Sequence, residues 1–165
     1  MTVEAIVRTM VSLVDVHAKM TEMAREKTEI LKEADVEALE AQLKKEEPYI
    51  EKIKELETLR VKQMHEWLEE NGQTMETATS TSFLSLFAGE AKEKLTAVFA
   101  DLTRSVNELK AQNRLNQQLI EQSLQFVNVT ADLLQPGNEP VGYGKSRQTG
   151  PNQRQNQRSV FDSKA

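Results

Sequence analysis

The chain has 165 residues, no cysteine and a net charge of −5, which excludes disulfide frameworks, thiolate metal sites and cysteine nucleophiles. Aromatics are only 5% and Glu, Lys, Leu, Ala and Gln dominate, a composition that favours long helices with narrow seams over a thick globular core. No apolar run approaches the ~18 residues needed to cross a bilayer, and the start, Met1-Thr2-Val3-Glu4, has an early acid and no basic stretch, so it does not read as a signal peptide and a cytoplasmic location is expected.

The first predicted helix covers about residues 3–33. Val3, Ile6, Met10, Leu13, His17, Met20, Ala24, Lys27 and Leu31 alternate at spacings of three and four, the pattern of a helix seam. His17 is read as a seam residue with its ring edge in water. Lys27 can bury its stem and keep its ammonium wet.

Asp35 is placed to cap a second helix over about residues 36–70, with Glu37 in its first turn. The junction at Ala34-Asp35 is so short that the first two helices should form an antiparallel hairpin. Pro48 lies inside the second helix. Its ring removes the bond to the Lys44 carbonyl, so a bend near Lys44–Glu47 is expected, with a full break the lesser alternative. Asn71 or Gly72 should take the left-handed position that ends the helix.

Residues 73–82 are rich in hydroxyls and read as a connector. Phe83-Leu84-Ser85-Leu86-Phe87 is a compact apolar knot expected to seal one end of a bundle. A third long helix follows over about residues 89–134, with Ala91, Leu95, Val98, Leu102, Val106, Leu109, Asn113, Asn116 and Ile120 facing inward. At 1.5 Å per residue it is about 67 Å long, against roughly 46 and 52 Å for its partners. The fold expected is therefore all-α: an elongated antiparallel three-helix bundle or coiled coil whose longest helix overhangs the turn between the first two.

The overhang has an unusual composition. From Leu119 to Leu134 the apolar side chains span roughly 220° of the helix, whereas packing on one neighbouring pair needs only about 100°. An unpaired helix that apolar is a liability unless something covers it. Asn113 and Asn116 lie in the seam just before it. Polar seam residues most often fix register, and contact with a partner is compatible with that role.

Pro136-Gly137 stops the third helix. Four of the six glycines and three of the four prolines follow Gln135. Residues 136–165 read as a disordered tail. It is basic: Lys145, Arg147, Arg154, Arg158 and Lys164 oppose Glu139 and Asp162, a net +3 that leaves −8 for residues 1–135. So acidic a body repels nucleic-acid backbones.

Nothing in the chain assembles an active site. The two histidines, His17 and His65, sit on helical faces with no glycine-rich turn nearby, and no Gly-x-x-x-x-Gly-Lys loop exists. His65, Glu66 and Glu69 could be imagined around a metal, but with charged residues at 28% such a grouping arises readily by chance. No enzyme activity, cofactor or metal is expected.

Asn113 to Leu124 reads Asn-x-x-Asn-x-x-Leu-Ile-x-x-Ser-Leu. With the leading hairpin, the polar connector and the Tyr143-Gly144 tail, this resembles the FlgN family of flagellar export chaperones, type III secretion chaperones for hook–filament junction proteins. The resemblance implies a cytoplasmic, non-enzymatic carrier. It would bind the C-terminal helical region of hook-associated proteins 1 and 3, keep them from assembling early and deliver them to the export apparatus. Carried onto this chain, the binding positions are Leu115, Leu119, Ile120, Leu124, Val127 and Leu134, with Asn113 and Asn116 orienting the partner. The alternatives are a structural coiled-coil protein that homodimerises through its third helix and, less favoured, an RNA-linked adaptor using Arg147, Arg154 and Arg158.

Overall fold

The structure, a computed structural model, describes residues 2–73 and 80–134. The basic tail expected over 136–165 and most of the connector lie outside the described residues. Four helices are seen: α1 Val3–Glu33, α2 Val36–Glu70, α3 Ser80–Ser85 and α4 Gly89–Leu134. There is no strand among the described residues. The fold is the expected all-α bundle, running up, down and up, so that α1 and α4 lie parallel. α1 is the central helix and packs along both α2 and α4, whose backbones stay further apart.

Local chemistry fixes the ends. The Thr2 hydroxyl accepts from the Ala5 N–H at 3.3 Å and opens α1. At the hairpin, the Asp35 N–H donates to the Ile30 carbonyl and the Ala34 N–H to that of Leu31, a pair of bonds that closes a helix through a left-handed residue. That residue is Ala34, at φ 55°. The Asp35 carboxylate then accepts from the Ala38 N–H at 2.9 Å and caps α2. At the far end of α2 the left-handed position falls to Gly72, φ 68°, and not to Asn71. α2 is continuous through Pro48, so the lesser alternative of a full break does not occur.

Three long helices were expected, and the short α3 was not. Its six residues are too few to be stable by propensity alone. Burial explains it: the turn carries Phe83 into the core fully buried, against Trp67 at 5.5 Å and Phe87 at 5.0 Å between ring centroids. Trp67 and Phe87 stack at 4.4 Å. The apolar knot thus seals this end of the bundle, over Ile6, Met10 and Leu13 of α1, Leu56, Met64 and Leu68 of α2, and Leu95, Val98 and Leu102 of α4.

The opposite half is built differently. From His17 upward the buried positions of the α1 seam alternate between apolar and polar groups. The His17 ring donates from Nδ1 to the Leu13 carbonyl at 2.8 Å. Gln42, 2% exposed, donates to the Met23 carbonyl at 3.0 Å. Lys27 and Glu46 form an ion pair at 2.6 Å with side chains 14% and 6% exposed. Buried amides and charges hold a helix in register, yet they exclude less water and contribute less than apolar fill.

Candidate functional site

The site grows from this polar half. Asn116 is buried where α4 passes α1. Its Nδ2–H donates to the Ala24 carbonyl at 2.8 Å, and its Oδ1 accepts from the Thr28 hydroxyl at 2.6 Å. Gln112 donates to the same hydroxyl at 2.6 Å. Both ends of its amide are thus bonded inside the bundle, which gives Asn116 a register role, while its side chain also lines the larger groove beside it. Asn113 is exposed and stays on the candidate surface.

Two grooves flank this lock. One, of about 550 Å³, opens among α1, α2 and α4, lined by Met20, Ile50, Ile53, Leu109, Asn113 and Ile120 with the Lys27–Glu46 pair at its wall. The second, of about 260 Å³, lies at the α1–α2 turn, where Ile30, Leu31, Val36 and Leu39 face Ile120, Leu124 and Val127. Ile120 lines both, so the two adjoin as one path along α4, apolar at the hairpin turn and partly polar beside Lys27, Glu46 and Asn113. From Leu109 to Val127 that path is about 27 Å long, five turns of a docked helix.

Beyond the turn α4 runs on alone. Leu124 is 58% exposed, Val127 59%, Phe126 73%, Leu133 80% and Leu134 77%. At 100° per residue the candidate residues divide into two rows. Asn113, Asn116, Ile120, Leu124, Val127 and Leu134 continue the seam and the groove. Leu115 and Leu119 lie on a second face. The structure thus brings six of the eight candidate positions onto one face and leaves two on another.

Sequence reasoning missed the hairpin's share of the site. Of the hairpin residues Ile30, Leu31, Val36 and Leu39 that wall the smaller groove, the sequence pattern marks Leu31 as part of the α1 seam and assigns none to a binding site. Val36, the apolar first residue of α2, is 70% exposed. Phe126, Val129 and Leu133, outside the candidate set, are exposed as well.

For other chemistry the described residues offer little. His65 Nδ1 lies 3.4 Å from Glu69, with both side chains about half exposed or more. No group of three or more His, Asp or Glu side chains among the described residues is placed to hold a metal. No described helix is long and apolar enough to cross a membrane.

A family model described as FlgN protein matches residues 1–151. The chain is 30% identical to the uncharacterized protein YvyG of Bacillus subtilis (strain 168) over 165 residues, the full length of both. No solved structure matches. The chain belongs to the FlgN family, whose members are flagellar export chaperones and not enzymes.

Proposed function

We propose that this FlgN-family chain is a cytoplasmic chaperone that binds the C-terminal helical region of the hook–filament junction proteins, hook-associated proteins 1 and 3. It keeps them from assembling prematurely and delivers them to the flagellar type III export apparatus. The observation that carries this reading is the bare end of α4: Leu124, Val127 and Leu134 stand in solvent beside a groove already lined with apolar side chains. Subunits that polymerise through amphipathic terminal helices need those helices masked beforehand. An apolar groove masks such a helix through anchors at i, i+3, i+4 and i+7.

The candidate anchors are Leu115, Leu119, Ile120, Leu124, Val127 and Leu134, with Asn113 at the rim. Asn116 acts from within, holding α4 on α1 so that the groove keeps its shape. If four anchors each bury ~100 Å², the gross gain at ~25 cal/mol/Å² is about 10 kcal/mol. Ordering the partner offsets ~2–5 kcal/mol of that. The net of about 5–8 kcal/mol corresponds to a Kd between roughly 200 μM and 1 μM, tight enough to escort and weak enough to release. Residues 1–135 form the chaperone domain in this reading, and the basic 136–165 segment is available for docking on the export machinery.

The test replaces Leu119, Leu124 and Val127 together by Glu. Co-purification with the junction-protein C-terminal segments should be abolished while far-UV circular dichroism is unchanged. Binding that survives the triple change would show that the site lies elsewhere.

A further inference from the structure

α4 carries a second seam that its own bundle leaves largely open. Leu115, Leu119, Gln122, Phe126, Val129 and Leu133 follow spacings of four, three, four, three and four, the heptad signature of a helix packed on another helix. Four of its six residues immediately precede one of the inward row: Leu115 and Asn116, Leu119 and Ile120, Phe126 and Val127, and Leu133 and Leu134. The two rows are therefore turned about 100° from each other around the helix. α1 and the hairpin turn lie against the inward row, and of the second row Leu119 is half-buried. On the second row Leu115, Phe126, Val129 and Leu133 are all exposed.

One docked helix covers a stripe little more than about 100° wide, too narrow for both rows. Resting on the chaperone reading above, we infer that the end of α4 takes two helices of one partner chain: one in the groove beside Leu124 and Val127, the other on the Leu115–Leu133 row.

Two observations favour a second helix of the same partner over a second copy of this chain. The first is length. The row covers fewer than three heptads, less than the roughly three to four over which a seam holds a coiled coil of its own. A helix tethered to another already seated in the groove has no such deficit, because its docking is intramolecular. The second is charge. Between Leu115 and Leu134 the only charged residues are Glu121 and Asp132, both acidic, and the row is flanked by Gln118 and Gln125. Self-pairing coiled coils select their mate through opposite charges flanking the seam. Here two copies would offer acids with no bases to meet them. The partner's second helix should accordingly be amphipathic, with apolar residues at three–four spacing and amide, hydroxyl or basic flanks.

Two variants separate the faces, each confined to exposed positions so that the bundle stays folded: Phe126→Glu with Leu133→Glu on the second row, and Leu124→Glu with Val127→Glu on the groove side. Calorimetric titration uses the full chain and the C-terminal segments of hook-associated proteins 1 and 3 from the same organism. We expect one segment per chain, a monomeric free protein by light scattering, and a Kd raised at least about 30-fold by either pair, the loss typical of removing an anchor residue. A photo-crosslinking amino acid at Phe126 and one at Val127 should then mark two separate stretches of the segment.

Full affinity in the Phe126/Leu133 variant beside lost binding in the Leu124/Val127 variant would overturn the second face and leave the chaperone reading standing. So would crosslinks from both positions to one turn of one helix, or a wild-type dimer that the Phe126/Leu133 variant splits. Wild-type protein that binds neither segment would sink both readings together.

Discussion

The two ends of this bundle follow the same three–four sequence pattern and put it to different use. At the closed end, Ile6, Met10, Leu13, Leu68 and Leu95 meet under Phe83, and every one of these side chains is essentially sealed from water. At the open end, α1 and α2 are joined by Gln42 and the Lys27–Glu46 pair, α1 and α4 by Asn116, and grooves remain between the helices. Apolar residues are not scarce there. They stand on the outer reach of α4, where the bundle has nothing to set against them. Apolar packing is thus concentrated at one end and open apolar surface at the other, so the chain can present a greasy helix without depending on it to stay folded.

The sharpest way to break this comparison is to attack the closed end. Phe83→Ala should cost about 3–5 kcal/mol in urea unfolding, as deletion of a buried aromatic usually does; a cost under about 1 kcal/mol would mean that the apolar knot is not the keystone. Next comes Lys27→Met, which strands the Glu46 carboxylate and should cost about 3 kcal/mol, whereas the double change Lys27→Met with Glu46→Met should be near neutral or better. Equal losses in single and double variants would show that the pair stabilises more than apolar fill. Asn116→Ala removes a donor from the Ala24 carbonyl and an acceptor from Thr28, and about 1–3 kcal/mol is expected. At the hairpin, Ala34→Gly relieves a left-handed residue and should raise stability by up to about 1 kcal/mol. Smallest of all, Leu124→Glu with Val127→Glu should change the stability of the free protein by less than about 0.5 kcal/mol, however much it weakens binding.

What could be read from the sequence was whatever depends on neighbours in the chain. Asp35 and Gly72 announce the ends of α2 because capping needs only local geometry. The rows along α1 and α4 follow from spacing alone, and so does the overhang, since it is a difference of lengths. Long-range register was not legible. That Asn116 meets Ala24 and Thr28 depends on how α4 slides along α1, which neither helix states by itself. The same holds for Ile30, Leu31, Val36 and Leu39, which become a groove wall only once α4 arrives beside them. α3 escaped notice because a single turn rich in Ser and Thr is helical only through the burial of Phe83 against a tryptophan from another helix.

The central claim is that the end of α4 stands open in the free protein and is covered by a partner's helix. Because the chain has no cysteine, Leu124→Cys supplies a single reporter there. The rate of its reaction with a thiol reagent, alone and with a junction-protein C-terminal segment, tests the claim most directly. Labelling should be about as fast as for a fully exposed thiol in the free protein and at least about tenfold slower in the complex. Slow labelling in the free protein, or a rate the segment leaves unchanged, would contradict the account.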